Sequence, residues 1–478
     1  MRNRWSEAEA ARRVEEWGRR HGEALALRAY SSRLLGAEPE LVLHGGGNTS
    51  VKGTARDLLG DEREVLFVKA SGRDLAAARP EDHVAVDLAA ARRLAGLPED
   101  LGDRELLRIL RTILLDPDAP HPSIETPVHA VIPHPYVDHT HADAVLALTN
   151  RPDVEAAVRK ALGGERDGLI VLPYATPGLR LARAVAEAVA AQPAARAMVW
   201  MRHGIVTWGE TARESYGRMV ELVSRAEEHL SSEVARAGRG GRGEARAEPV
   251  PAEDEVRRRL VRLAPHLRRA LAAPTGDPDR PWRRPILRAA SDSETLAALA
   301  TPGLRELAGS PPLTADHLIR TGARPLWLDV PWEGDREGPE ALRGRVEEAV
   351  AAWTARERET LERHRDRLPS GADPATLPAL PRVVLIPGLG IVAAGATAAE
   401  ADLARDVARH TLAVKARMAA AGVEYEGLPE GDLVAQEHRP LQAMKVGREE
   451  APLARTVALV TGAAGAIGSG IARALLEA

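Results

Sequence analysis

The stretch HPSIETPVHAVIPHPYVDHTHADA, residues 121–144, holds five of the chain's 15 histidines. A strand from Tyr136 to His141 would alternate its side chains with a period of two, so His139 and His141 would point to the same face. Two imidazoles on one strand face can share a metal ion, and catalytic zinc usually takes three protein ligands and keeps one position open. The pattern therefore predicts a metal site that needs one further ligand.

The third candidate ligand is His203, within MVWMRHGIVTWG, residues 198–209. Two apolar runs flank Arg202-His203-Gly204, which predicts a turn between two strands. Glu125 lies upstream on a helix predicted to start near Ser123, a natural N-cap residue, and is the candidate acid/base. An isolated histidine is usually structural, and an HxH pair alone leaves that alternative open.

Glycine-rich and serine-rich turns elsewhere in the chain complete a pattern. In order, the motifs are Gly46-Gly47-Asn48-Thr49-Ser50, Lys69-Ala70-Ser71-Gly72, Pro122-Ser123-Ile124-Glu125, His139-Thr140-His141, Pro173-Tyr174-Ala175-Thr176-Pro177-Gly178 and His203-Gly204. Together they resemble the class II aldolase/adducin family over roughly residues 20–230. Consecutive glycines let backbone N–H groups approach an anion, although a plain tight turn is the alternative reading of each motif alone.

The resemblance implies a three-layer αβα domain that cleaves a ketose 1-phosphate, most typically L-rhamnulose 1-phosphate, with zinc as the cofactor. It implies a homo-oligomer and assigns Glu125 to proton transfer. The implied metal ligands are His139, His141 and His203, and the implied phosphate-binding residues are Asn48, Ser71, Gly72 and Ser123. Imidazole ligands alone do not distinguish zinc from other divalent transition metals.

The composition fits a globular protein and excludes several classes of function. Hydrophobic residues make up 44% of the chain and charged residues 28%, which does not favour disorder. A net charge of -4 gives no electrostatic case for binding nucleic acid or an anionic membrane. The absence of cysteine excludes disulfides and thiolate ligands. Without a secretory signal pattern or a long apolar run, the expected location is cytoplasmic.

Changes in composition divide the chain into four segments. We predict a metal-dependent aldolase-like domain at 1–232, a flexible Gly-, Arg- and Pro-rich linker at 233–252, and a mixed α/β region of unknown role at 253–453. Within this middle region His317, Arg320 and Glu437 are candidates to reach the site of the first domain. Residues 454–478 form the fourth segment.

The fourth segment has the pattern of a buried strand, a glycine turn and a helix. It resembles the start of a short-chain dehydrogenase, a truncated Rossmann domain whose cofactor-binding glycines would be Gly462, Gly465 and Gly468. Ala466 stands where a middle glycine is expected. The order of the segments resembles the bifunctional rhamnulose-phosphate aldolase/lactaldehyde dehydrogenases, which implies NAD as a cofactor in a full-length form only.

Two alternatives remain at this point. A sugar-phosphate epimerase or dehydratase on the same fold would use the same histidines and phosphate turns. A non-catalytic adducin-like interaction module would be expected to lack the metal ligands, and here all three candidates are present.

Overall fold

The computed structural model describes residues 1–97, 101–164, 167–239, 251–279, 281–332, 338–439 and 458–477. Within these ranges, no helix combines the length and the apolar character that crossing a bilayer would require. The described residues form two α/β domains and a short C-terminal segment.

The first domain contains nine α-helices and seven strands among its described residues. The helices are α1 (Glu7–His21), α2 (Glu23–Gly36), α3 (Leu88–Leu94), α4 (Asp103–Thr112), α5 (Thr126–Val131), α6 (Asp143–Thr149), α7 (Val154–Leu162), α8 (Leu179–Ala191) and α9 (Ala212–Arg239). The strands are β1 (Asn48–Arg56), β2 (Glu62–Lys69), β3 (His83–Asp87), β4 (Tyr136–Thr140), β5 (Leu169–Leu172), β6 (Ala197–Trp200) and β7 (Gly204–Gly209). Short 3-10 helices cover Leu75–Ala77 and Pro80–Asp82.

The seven strands form one sheet in the order β3-β2-β1-β4-β7-β6-β5. Its neighbouring strands are antiparallel except β5 and β6, which are parallel. Alternation along β6 sends Val199 into an apolar cluster with α6, α7 and α9, and Met198 into a second cluster with α5 and α8. Helices therefore cover both faces of the sheet, and the predicted three-layer α/β architecture of this domain is confirmed.

The second domain is built around a four-stranded sheet in the order β10-β13-β12-β11. Its helices are α10 (Glu253–Ala270), α11 (Ser293–Leu299), α12 (Leu304–Ala308), α13 (Ala315–Thr321), α14 (Pro339–Arg363), α15 (Ala398–Ala421) and α16 (Glu430–Glu437). Its strands are β8 (Ala273–Pro274), β9 (Trp282–Arg283), β10 (Ile286–Ala290), β11 (Leu326–Trp327), β12 (Val383–Ile386) and β13 (Gly390–Gly395), and a 3-10 helix covers Arg365–Arg367. Helices α10 and α14 pack on one face, and α11, α12 and α15 on the other.

The two domains share an apolar contact and several polar ones. Leu146 of α6 and Leu230 of α9 pack with Val414 and Met418 of α15. Asp143, at the start of α6, accepts a hydrogen bond from His410 Nδ1 of α15 at 3.0 Å. Asp143 therefore lies at a helix start in the interface between the domains.

The segment boundaries differ in part from those predicted. Helix α9 continues to Arg239, seven residues into the predicted linker at 233–252, and residues 240–250 lie outside the described ranges. Near the C-terminus a strand is predicted from Thr456 to Gly462, but Ala458–Val460 are not in a strand, and residues 456–457 lie outside the described ranges. Gly462 forms the expected turn, with a φ of 65°, before α17 (Ala466–Glu477).

Candidate active site

Two of the three predicted metal ligands lie on the central strand β4. His139 is in the strand and His141 directly follows it, so both side chains point to one face and their ring centroids are 4.9 Å apart. Asp138 points to the opposite face and pairs with Arg28 of α2, both fully buried. The alternation therefore places the histidines together, as the sequence pattern predicts.

The turn between β6 and β7 brings His203 to the same place. The His203 ring centroid lies 5.0 Å from that of His139 and 5.5 Å from that of His141. Gly204 permits this approach, because a Cβ there would lie 2.2 Å from the carbonyl oxygen of Thr140. One imidazole nitrogen of each histidine lies within 4.8 Å of the other two, a spacing that can hold a metal ion.

The substitution Gly204→Ala tests this close approach. The added Cβ would collide with backbone, which has little freedom to move, so we expect a loss of about 1–3 kcal/mol of unfolding free energy. Gly344→Ala is the matched control, because no atom lies within 4 Å of its added Cβ in α14 and alanine favours a helix. Thermal or urea unfolding of both variants gives the comparison, and an unchanged Gly204→Ala midpoint would contradict the packing described.

The hydrogen bonding of His139 leaves a nitrogen free for a metal. His139 Nδ1 donates to the carbonyl oxygen of Ile205 at 3.1 Å, which puts the proton on Nδ1. His139 Nε2 is buried and makes no hydrogen bond. Burial lowers the pKa of His139 to about 4 and that of His141 well below its usual value, so both rings are neutral near pH 7. Neutral imidazole is the form that binds metals, and the three histidines fit a three-ligand site.

Glu125 lies directly beside these histidines. Its Oε1 is 3.1 Å from His203 Nε2, and its Oε2 is 3.7 Å from His139 Nε2. The predicted helix start near Ser123 was wrong, because α5 begins at Thr126 and Glu125 is its N-cap residue. Pro127 occupies the first turn, where the missing N–H of proline costs no hydrogen bond.

A buried chain of hydrogen bonds holds Glu125 from the other side. Asn48 Nδ2 donates to Glu125 Oε2 at 2.6 Å and to Ser123 Oγ at 3.1 Å. Asn48 Oδ1 accepts from Nε2 of His129, whose Nδ1 accepts from Ser50 Oγ at 2.7 Å. His129 is therefore connected to Glu125 through Asn48.

All four residues predicted to bind phosphate line one cavity. The cavity has about 690 Å³ of empty space and is bordered by the turn Gly45–Gly47 and by Asn48, Ser71, Gly72 and Ser123, together with Glu125, His141 and His203. The backbone N–H of Ser71 is already hydrogen-bonded within the protein, because it donates to the carbonyl oxygen of His121 at 2.8 Å. Ser71 itself lines the cavity.

Lys69 contributes to this cavity in a way that the sequence did not indicate. Its side chain is nearly inaccessible, and its Nζ donates to the carbonyl oxygens of Gly45 at 2.9 Å and Arg73 at 2.6 Å. The lysine thereby ties the glycine turn to the turn at Ser71-Gly72. In the sequence, Lys69 is visible only as a lysine next to the Ser71-Gly72 turn. That position does not reveal its contact with Gly45, which lies 24 residues earlier in the chain.

The second domain forms one wall of the same cavity, through Asp316, Gln436 and Arg439. These residues are close in sequence to candidates named in the sequence analysis: Asp316 precedes His317, and Gln436 precedes Glu437. The ring centroid of His317 lies 6.5 Å from that of His141, but His317 Nδ1 faces Thr411. The sequence therefore indicated the correct short helix but not the residue on it that lines the cavity.

The side chains of Glu437, Arg320 and Tyr174 are not among the residues that line this cavity. Glu437 pairs with Arg382 at 3.3 Å, and Arg320 lines a separate cavity of the second domain. Tyr174, of the motif at 173–178, packs against Leu318, Leu428 and Leu433 of the second domain. Tyr174 therefore belongs to the contact between the domains.

Two family matches agree with this architecture. Residues 27–230 match the family described as Class II Aldolase and Adducin N-terminal domain, and residues 258–446 match Aldolase class II, second domain. Each of the two domains is therefore similar to a domain of the class II aldolase type. The second match covers most of the region that the sequence left without a role.

One curated relative spans both domains. The chain is 31% identical over 453 residues to an uncharacterized oxidoreductase of Bacillus subtilis (strain 168), YuxG, covering 93% of this chain and 61% of that protein. The chain thus spans about three fifths of the length of this relative.

Two solved structures are similar to a little under half of the chain. The N-terminal class II aldolase domain of a conserved protein from Thermoplasma acidophilum is 35% identical and covers 48% of this chain and 99% of its own, with a TM-score of 0.42. The L-fuculose-1-phosphate aldolase from Thermus thermophilus is 22% identical and covers 46% of this chain and 98% of its own, with a TM-score of 0.30.

Proposed function

We propose that this protein is a metal-dependent aldolase that cleaves a ketose 1-phosphate. The observation that carries the proposal is the position of Glu125, whose two carboxylate oxygens lie 3.1 Å and 3.7 Å from nitrogens of His203 and His139. A buried carboxylate beside a three-histidine cluster, in a cavity bordered by glycine and serine turns, combines a proton carrier, a metal site and an anion site.

The metal site would consist of His139, His141 and His203, with zinc as the proposed ion. A divalent cation held there supplies Lewis-acid stabilisation of negative charge on substrate oxygens. The protein's part is to present three imidazoles at a fixed spacing. The hydrogen bond from His139 Nδ1 to the Ile205 carbonyl fixes the orientation of one of them.

Glu125 would move the proton at the carbon next to the substrate carbonyl. When the carbon–carbon bond breaks, its electron pair stays on that carbon, and the hydroxyl on the other carbon becomes the aldehyde carbonyl by losing its proton to solvent. The carbon that keeps the electron pair then takes a proton from the protonated form of Glu125; in the reverse direction the Glu125 carboxylate removes this proton. The amide of Asn48 and the chain to His129 hold the carboxylate in place. A carboxylate so positioned makes the transfer effectively intramolecular.

The substrate phosphate would bind at the turn that carries Ser71 and Gly72, together with Ser123. Ser71→Ala should remove one hydrogen-bond donor to the phosphate and raise KM about 10-fold, with a smaller change in kcat. Ser232→Ala is a suitable control, since this hydroxyl bonds the carbonyl oxygen of His229 on the exposed side of α9. Steady-state kinetics give the comparison, and an unchanged KM would remove Ser71 from the phosphate site.

We further propose L-rhamnulose 1-phosphate as the substrate, with dihydroxyacetone phosphate and L-lactaldehyde as products, and a homo-oligomeric assembly. In a full-length form, the segment from 454 onward would begin an oxidoreductase domain that uses NAD through Gly462, Gly465 and Gly468. The longer curated relative with an oxidoreductase name supports this arrangement.

Product analysis tests the proposed reaction. The purified protein is incubated with L-rhamnulose 1-phosphate and, separately, with L-fuculose 1-phosphate and L-ribulose 5-phosphate, and the products are followed by NMR. Dihydroxyacetone phosphate together with an aldehyde is the expected outcome for a ketose 1-phosphate. An epimerised or dehydrated sugar phosphate without carbon–carbon cleavage would assign the site to another reaction.

A further inference from the structure

We infer that the second domain supplies the binding site for the hydroxyl groups on the aldehyde side of the substrate, with Asp316 as the substrate-binding residue. This inference rests on the proposed function and names the part of the site that the first domain does not provide. It makes the second domain part of the active site of the same chain.

The carboxylate of Asp316 lies between the glycine turn and the three histidines. Its Oδ2 is 4.0 Å from His141 Nδ1, and a Cβ on Gly46 would lie 3.1 Å from the same oxygen. The side chain is 28% exposed and lines the cavity, so it is accessible to a bound molecule. Thr314 caps α13 by accepting a hydrogen bond from the N–H of His317, which fixes the helix turn that carries Asp316.

Charge decides which part of the substrate faces Asp316. A carboxylate only accepts hydrogen bonds, and it repels a phosphate group at short range. The serine hydroxyls and glycine backbone at Ser71-Gly72 and Ser123 suit the phosphate instead. The neutral hydroxyl groups at the other end of a ketose phosphate are donors, and hydrogen bonds to a charged acceptor are among the stronger ones.

The second domain is held firmly against the first on two sides of the cavity. On one side His410 donates to Asp143, two residues after His141. On the other side Arg439 donates to Asp103 Oδ2 at 3.0 Å and to the carbonyl oxygen of Pro177 at 3.2 Å. These contacts fix the position of Asp316 relative to His141, so the acceptor is in place before a substrate binds.

The test compares two reactions of the variant Asp316→Ala. The first is the exchange of a proton of dihydroxyacetone phosphate for deuterium in D₂O, which requires the phosphate turn, Glu125 and the metal but no aldehyde. The second is the cleavage of L-rhamnulose 1-phosphate. We expect exchange and bound metal to stay at the wild-type level, while kcat/KM for cleavage falls about 10- to 100-fold, mainly through KM.

Two further variants make the result specific. Asp316→Asn keeps an acceptor oxygen without the charge and should lose less than Asp316→Ala. Asp402→Asn, in α15, removes a carboxylate that pairs with Arg288 and Arg405 away from the cavity, and it should match the wild type. Unchanged cleavage by Asp316→Ala, or an equal loss of exchange and cleavage, would overturn the inference. A wild-type protein that neither exchanges nor cleaves would refute the proposed function itself.

Discussion

His203→Ala is expected to lose the bound metal and the cleavage activity together. The variant removes one of three imidazoles whose nitrogens lie within 4.8 Å of one another. Two histidines alone hold a divalent ion weakly, because structural and catalytic zinc sites use three or four protein ligands. We expect the metal content to fall from about one ion per chain to near zero, and activity to fall by at least about 10³-fold.

Metal analysis and the cleavage assay on the same preparations check this prediction. His134→Ala is the matched control, since His134 lies in a loop, is partly exposed and pairs with Glu210 at 2.6 Å. It should keep both metal and activity. Full metal content in His203→Ala, and also in His139→Ala and His141→Ala, would show that these residues are not the ligands.

The variant Glu125→Gln should keep the bound metal and lose the cleavage activity. The glutamine side chain has nearly the same shape and can still accept from Asn48, but it does not carry a proton to and from carbon. General acid–base groups contribute about 10²–10⁴-fold, so kcat should fall by this factor while KM changes little. The deuterium exchange of dihydroxyacetone phosphate should fall to the same extent, because it uses the same proton transfer.

The control for this variant is Glu210→Gln, which makes the same chemical change at an exposed carboxylate that pairs with His134. It should retain wild-type kinetics. If Glu125→Gln turns over normally with its metal in place, another group must carry the proton, and Glu125 has no role in the reaction.

The sequence predicted the features that depend on local periodicity. The alternation in Tyr136-Val137-Asp138-His139-Thr140-His141 places two histidines on one face, and that follows from a strand alone. The turn at Arg202-His203-Gly204 follows from two apolar runs separated by polar and small residues. The two local features meet because β4 pairs with β7, the strand that begins directly after His203.

The sequence did not reveal contacts that depend on how distant segments pack. Asn48 lies 77 residues from Glu125, and nothing in either local pattern shows that the amide holds the carboxylate. In the second domain, His317 was a candidate and Asp316 was not. The choice between them depends on which side of the short helix α13 faces the first domain, and only the docking of the domains determines this.

The most direct test of the central claim is a single assay on the wild-type chain. Bound metal is quantified, and the release of dihydroxyacetone phosphate from L-rhamnulose 1-phosphate is measured with and without a chelator. About one divalent ion per chain, with release that stops on chelation and returns when zinc is added, is the result we predict for a three-histidine site. A protein that binds no metal, or that releases the product equally well in the presence of chelator, would contradict the assignment of His139, His141 and His203.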